Sequence, residues 1–133
     1  MQSFESYIKI GFTILATTLT TIFGGWDMAL SVLVILIVAD YITGVGKAFC
    51  NKVLSSDVGS KGIIKKVMIL VVVALAAQLD RLISTELIRT AVIYFYVANE
   101  GISILENLTA LGVPFPKQLT DRLLQLRGDG EKK

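Results

Sequence analysis

The amino-acid sequence predicts an all-α integral membrane protein with three or four transmembrane helices. Composition is the first reason: of 133 residues, 53% are apolar and only 18% are charged, and the mean hydropathy is +0.68. A typical soluble domain carries about 25% charged residues, and a chain this short needs many polar residues to cover its surface. The second reason is that the apolar residues fall into four stretches, 10–23, 28–45, 67–79 and 87–108.

The four stretches differ in length, and this difference leaves the number of crossings open. About 20 mostly apolar residues are needed to span a bilayer. The second and fourth stretches reach that length if Asp40, Arg89 and Glu100 are tolerated, and the third does so with its flanking residues. The threonine-rich first stretch fits a spanning helix or a helix lying on the outer surface, and less well a cleaved signal peptide. We therefore expect three or four spans.

The breaks between the stretches predict three regions. Residues 1–27 form an N-terminal apolar or amphipathic helix and a turn. Residues 28–111 form membrane helices interrupted by a basic cytoplasmic loop at 46–66, and residues 112–133 form a charged cytoplasmic tail. Residues 117–127 of that tail have the pattern of a short amphipathic surface helix.

Positive charge predicts the orientation of the chain. The predicted loop 46–66 contains a single acidic residue, Asp57, against five lysines: Lys47, Lys52, Lys61, Lys65 and Lys66. The tail contains five more basic residues, whereas the turn at 24–27 contains none. Because lysine and arginine concentrate on the cytoplasmic side of membranes, the loop and the C-terminus are both predicted to be cytoplasmic. The two helices between them give the required even number of crossings.

The residue inventory argues against an enzyme. The chain has no histidine and a single cysteine, Cys50. This removes the commonest general base as well as an internal disulfide or a cysteine-pair metal site. We predict no catalytic residue, no cofactor, no metal and no nucleic-acid partner; the expected partners are the lipid bilayer and further copies of the chain.

Ionisable residues inside apolar stretches are the strongest candidates for function, because each costs a few kcal/mol at the bilayer centre. In the second stretch, Asp40, Thr43 and Lys47 share one helical face. Asp40 either reaches the cytoplasmic interface or lies between helices, and the sequence leaves both readings open.

The fourth stretch carries a polar stripe along one side of its helix. The stripe either packs within one bundle, paired with Asp80 or Arg81, or faces neighbouring subunits or water. A few short helices have little interior in which to hide so many polar groups, which favours an oligomer. The predicted assembly or pore-facing residues are Asp40, Thr43, Arg89, Tyr96, Asn99, Glu100, Ser103, Glu106 and Asn107.

Two motifs resemble a known family. Asn99 to Asn107 read Asn-Glu-x-x-Ser-x-x-Glu-Asn and are followed by Gly-x-Pro-x-Pro at 112–116. Together with Asp-Tyr-Ile-Thr-Gly at 40–44, they resemble the toxin secretion/phage lysis holin family, and the similarity extends over residues 28–124.

The resemblance implies a non-enzymatic lysis function. Members of this family accumulate in the bacterial cytoplasmic membrane, oligomerise and open lesions through which an endolysin, or in some relatives a toxin, passes. The alternative is a small structural or scaffold membrane subunit that leaves the membrane sealed.

Overall fold

The computed structural model describes residues 1–128, and this part of the chain folds into five α helices without a strand. They are α1 (Gln2–Ile22), α2 (Met28–Cys50), α3 (Ser56–Ile83), α4 (Leu87–Ala110) and α5 (Lys117–Arg127). The all-α prediction is confirmed. Residues 129–133 of the predicted charged tail lie outside the described residues.

Helices α2, α3 and α4 form an up-down-up bundle in which α4 is the central member and runs parallel to α2. It packs along α2 and, less extensively, along α3, whereas α2 and α3 make few contacts with each other. The apolar core is built from Leu30, Leu33 and Ile37 of α2, Val73 of α3 and Ile93 of α4. The α2 residues recur at the three- and four-residue intervals that place side chains on one helical face.

Side-chain oxygens define the beginnings of the three bundle helices. Asp27 Oδ1 accepts a hydrogen bond from Leu30 N at 3.0 Å, and Ser55 Oγ accepts one from Val58 N at 3.2 Å. The start of α4 is capped from a neighbouring helix: the Asp80 carboxylate of α3 accepts from the backbone N–H groups of Ile88 and Arg89, at 3.1 and 2.8 Å. These bonds satisfy N–H groups that have no partner inside their own helix.

The prediction of a basic loop over residues 46–66 is wrong for most of that range. Helix α2 continues to Cys50 and α3 begins at Ser56, so only residues 51–55 connect them. Besides the Ser55 cap, the reason is close packing of the first turns of α3 on the Tyr41 side chain of α2. A Cβ on Gly59 or Gly62 would lie 3.4 or 3.3 Å from Tyr41, so the two glycines let α3 approach α2.

Two helices, α2 and α3, are long and apolar enough to cross a membrane. Only 22% and 17% of their most apolar segments are buried within the chain, so their apolar faces point outward instead of forming the core of a soluble domain. The expectation that three or four stretches meet this criterion is wrong. Threonines, Glu5 and Lys9 reduce the apolar character of α1, and the polar stripe does the same for α4.

Helix α1 stands apart from the bundle. Within the described chain, no residue of α1 is buried. It contacts α3, where Gln78 Nε2 donates a hydrogen bond to the Ile22 carbonyl at 2.9 Å. Its large apolar side chains, Phe4 and Phe12 among them, are exposed.

Candidate functional site

A charged cluster joins the three bundle helices. Lys66 of α3 donates one hydrogen bond to Glu100 Oε2 of α4, at 2.5 Å, and another to Asp40 Oδ2 of α2. The three side chains are 17%, 7% and 8% exposed, respectively. Charge is expensive to bury unless it is paired, so each helix contributes a group that the other two stabilise.

Asn107 extends this cluster along α4. Its Nδ2 donates to Asp40 Oδ1 and to Thr43 Oγ1, each at 3.0 Å. Thr43 Oγ1 in turn donates to the Ala39 carbonyl at 2.9 Å. Asp40 therefore accepts hydrogen bonds from both α3 and α4, which makes it the centre of the cluster. We call Asp40, Thr43, Lys66, Glu100 and Asn107 the ion cluster.

A cavity of about 310 Å³ lies beside the ion cluster. Its wall combines Asp40, Lys66 and Asn107 with Ser103 of α4 and Lys65 of α3. Valines and glycines complete the wall, so the lining is polar in one part and apolar in the rest. No group of three or more histidine, cysteine, aspartate or glutamate side chains suited to a metal ion occurs among residues 1–128.

A second polar site lies at the opposite end of the bundle. The Arg89 guanidinium donates to the Phe23 carbonyl at 2.6 Å, to the Gly25 carbonyl at 2.9 Å and to the Asp27 carboxylate at 2.7 and 3.2 Å. The hydrogen bonds from Arg89 lower the pKa of Asp27. Gly24 and Gly25 have φ of 76° and 111°, a region that favours glycine. This site, the Arg89 clamp, holds the connection between α1 and α2 against the start of α4.

The predicted assembly or pore-facing residues occupy four different environments. Asp40, Thr43, Glu100 and Asn107 meet in the ion cluster, Ser103 lines its cavity, and Arg89 forms the clamp. Tyr96 packs against the apolar core and edge-on to Phe95, with ring centroids 5.3 Å apart. Asn99 is partly buried and Glu106 is exposed. Their role in assembly stays a prediction.

The predicted basic-loop lysines separate into two groups. Lys47 is partly buried, whereas Lys52, Lys61 and Lys65 are exposed, and Lys61 pairs with Asp57 at 3.0 Å. Lys66 belongs to the ion cluster instead. It was not recognised as a partner of Asp40 and Glu100 from the sequence, although it directly precedes the apolar stretch that begins at Val67.

These features define a helical membrane protein whose bundle buries an ion pair network of Asp40, Lys66 and Glu100. The chain belongs to the bacteriophage holin family, whose model matches residues 17–128. The family resemblance read from the sequence is confirmed.

Individual relatives support this assignment. The chain is 50% identical over 128 residues to a 14.9 kDa protein of Clostridium perfringens, covering 95% of this chain and 97% of the relative. It is 43% identical to a Listeria innocua protein over 133 residues, covering 97% and 95%. It is 38% identical over 105 residues to a probable holin of Bacillus phage phi105, covering 78% of each chain. No solved structure matches.

Proposed function

We propose that this protein is a holin that oligomerises in the bacterial cytoplasmic membrane and permeabilises it, so that a cell-wall hydrolase or a toxin passes. The observation that carries the proposal is membership of the bacteriophage holin family, including likeness to a probable holin of a Bacillus phage. The protein acts by altering the bilayer and not by catalysis.

The proposed topology brings α4 into the membrane together with α2 and α3. Alone, α4 is too polar for lipid because it carries Arg89, Glu100 and Glu106. Pairing of Glu100 with Lys66 and of Arg89 with Asp27 neutralises two of these charges within the bundle. An uncompensated charge costs about 2.5–3.5 kcal/mol at mid-bilayer on insertion scales, a cost that applies to Glu100 more than to Arg89 at the end of the helix.

In this topology the 51–55 connection and the C-terminus are cytoplasmic. Lys47, Lys52, Lys61 and Lys65 surround the connection, in agreement with the preference of basic residues for the cytoplasmic side. The Arg89 clamp then lies at the opposite face of the membrane.

We propose that self-assembly uses the polar residues of α4 that do not belong to the ion cluster. Glu106 is exposed and Asn99 is only partly buried. Against lipid these groups would lack partners, whereas a neighbouring subunit can satisfy them. The residues of the ion cluster stabilise each subunit.

Dye release from liposomes tests this function. Purified protein in vesicles with a bacterial lipid composition is expected to release entrapped dyes above a threshold protein density. Glu106→Leu should raise that threshold. Glu5→Leu, which removes an exposed acid from α1, is the matched control and should leave it unchanged.

A second measurement separates a holin from a scaffold subunit. Induced expression in bacteria together with a cytoplasmic cell-wall hydrolase should cause lysis, and expression of either protein alone should not degrade the wall. Vesicles that stay sealed at every protein density, with cells that keep the hydrolase inside, would refute the proposal and favour the scaffold.

A further inference from the structure

The cavity beside the ion cluster lies near the end of the bundle that carries the 51–55 connection. At 1.5 Å per residue, Val45 in its wall is about 8 Å from the end of α2, and Val58 is about 3 Å from the start of α3. Helix α2 has 23 residues and is only slightly longer than the hydrocarbon core of a bilayer, which is about 30 Å thick. The cavity therefore lies close to the level at which hydrocarbon gives way to lipid headgroups.

Three polar side chains in the cavity wall have no partner within the described chain. They are the hydroxyls of Tyr41 and Ser103 and the ammonium of Lys65; among residues 1–128 none of these groups makes a hydrogen bond or ion pair. All three can donate hydrogen bonds. Asp40 is already paired with Lys66, and the second acid of the ion cluster, Glu100, is not in the wall. The cavity thus offers three donors and one positive charge that is not neutralised.

An apolar groove of about 260 Å³ adjoins the cavity. It lies between α2 and α3, which make few contacts with each other. Its apolar lining residues are Ile37, Val38, Ile63, Val67 and Leu70. Tyr41 and Lys66 line both the groove and the cavity, so the two spaces meet at these side chains.

The groove is accessible from the surroundings of the bundle and lies deeper in the bilayer than the cavity. Val38, Ile63 and Val67 are each about half exposed. Ile37 and Val38 precede Tyr41 in α2, on the side away from the 51–55 connection. Polar donors at headgroup level are therefore followed, toward the bilayer centre, by an open apolar surface.

This order of polar and apolar surface matches a phospholipid. The phosphodiester of a phospholipid is an anion that accepts hydrogen bonds, and its acyl chains extend from that group toward the bilayer centre. Basic pockets between transmembrane helices on the cytoplasmic side typically bind anionic headgroups. A free phosphate ion would use the cavity alone, whereas a lipid occupies the cavity and the groove together.

We propose that the cavity and the groove form a binding site for one anionic phospholipid of the cytoplasmic leaflet. Its phosphodiester accepts hydrogen bonds from Tyr41, Lys65 and Ser103, and one acyl chain lies in the groove. The inference rests on the proposed topology, but it does not require that the protein opens the membrane.

Native mass spectrometry of the full chain in detergent tests the site, with dioleoyl phosphatidylglycerol added as the probe. One phosphatidylglycerol per chain should be retained at concentrations at which phosphatidylcholine is not. Lys65→Gln should weaken retention by about tenfold or more, because a hydrogen bond from a charged donor is lost. Tyr41→Phe keeps the ring beside Gly62 and should weaken retention by about fivefold, the effect of a neutral hydrogen bond.

Two matched controls separate the site from general attraction to lipid. Lys52→Gln removes an exposed lysine of the 51–55 connection that is not in the cavity wall, and it should leave retention unchanged. Val67→Trp fills the groove and should weaken retention. Val71→Trp changes a similarly exposed residue of α3 outside the groove and should not. Circular dichroism checks that each variant keeps its helices.

Three results would overturn the proposal. Equal losses for Lys65→Gln and Lys52→Gln would indicate diffuse charge attraction, and equal retention of phosphatidylcholine would remove the preference for an anionic lipid. Displacement of phosphatidylglycerol by glycerol phosphate or inorganic phosphate, with Val67→Trp unaffected, would show a phosphate site without a lipid chain. Vesicles that stay sealed while phosphatidylglycerol is retained as expected would instead refute permeabilisation and support the lipid site.

Discussion

Removal of the Lys66 ammonium is the most direct test of the ion cluster. Lys66→Met keeps most of the apolar stem and volume of the side chain but leaves Asp40 and Glu100 without their shared cation. Both carboxylates are less than a tenth exposed, so water replaces the lost hydrogen bonds poorly. Asn107 still donates to Asp40, whereas Glu100 has no other cation within salt-bridge distance among residues 1–128.

The expected loss is large. Removing one partner of a buried ion pair costs about 3–5 kcal/mol. Because Lys66 is only 17% exposed, solvent screening reduces this cost little. Since whole domains are stable by about 5–15 kcal/mol, Lys66→Met should remove roughly a fifth or more of the free energy of unfolding.

Unfolding in mixed micelles, followed by circular dichroism against increasing denaturing detergent, measures this loss. Lys65→Met is the matched control, because its side chain is exposed and adjacent, and it should change the midpoint little. Lys66→Met/Glu100→Gln should recover part of the loss, since only Asp40 then lacks its cation. Equal midpoints for Lys66→Met and Lys65→Met would refute the energetic role of the cluster.

Three further predictions concern other parts of the chain. Cys50, exposed at the end of α2, should react with a membrane-impermeant maleimide only after spheroplasts are permeabilised. Labelling in sealed spheroplasts would show that the 51–55 connection lies outside the cell and would refute the proposed topology. Because the pKa of Asp27 is lowered in the folded chain, its stabilising effect is present above its usual pKa of about 3.9 and is lost as the pH falls further. The difference in stability between wild type and Asp27→Asn should therefore shrink in acid, and a constant difference would argue against the ion pair. Gly101→Ala, whose Cβ would lie 2.8 Å from a Leu123 methyl carbon of α5, should weaken the packing of α5 on α4 and lower the midpoint of unfolding, whereas Gly46→Ala, whose Cβ meets an ordinary 3.8 Å contact, should change it little.

Local pattern was enough to predict the helices but not the partners of their charges. Apolar stretches and their breaks located most of α2 and α4 but only the later part of α3, and the amphipathic pattern of 117–127 located α5. The cost of isolated charge in lipid also singled out Asp40 and Glu100 as residues that require a partner. These inferences depend only on the hydropathy and charge of residues within one short stretch of the chain.

The pairing of Lys66 depends on which helices pack together, and no local signal carries that information. In the sequence, Lys66 is one of five lysines between two apolar stretches and looks like any solvated residue. It becomes a cluster member because α3 begins early, at Ser56, and its first turns pack on Tyr41. The return of α5 along α4 was missed for a similar reason: it depends on one glycine, Gly101, that matters only once Leu123 is beside it.

The distribution of the ion cluster among three helices has a consequence for biosynthesis. When the ribosome has completed α2 and α3, the hairpin contains Asp40 and Lys66, one acid and one base that pair in the folded bundle. In the proposed topology we expect that hairpin to enter the lipid first, because its two central charges can neutralise each other. Glu100 is synthesised later, on a helix that is too polar to partition into lipid alone, and it can then pair with Lys66. In the proposed topology the order of synthesis would match the order of insertion, with α4 recruited to the membrane by the two helices that precede it.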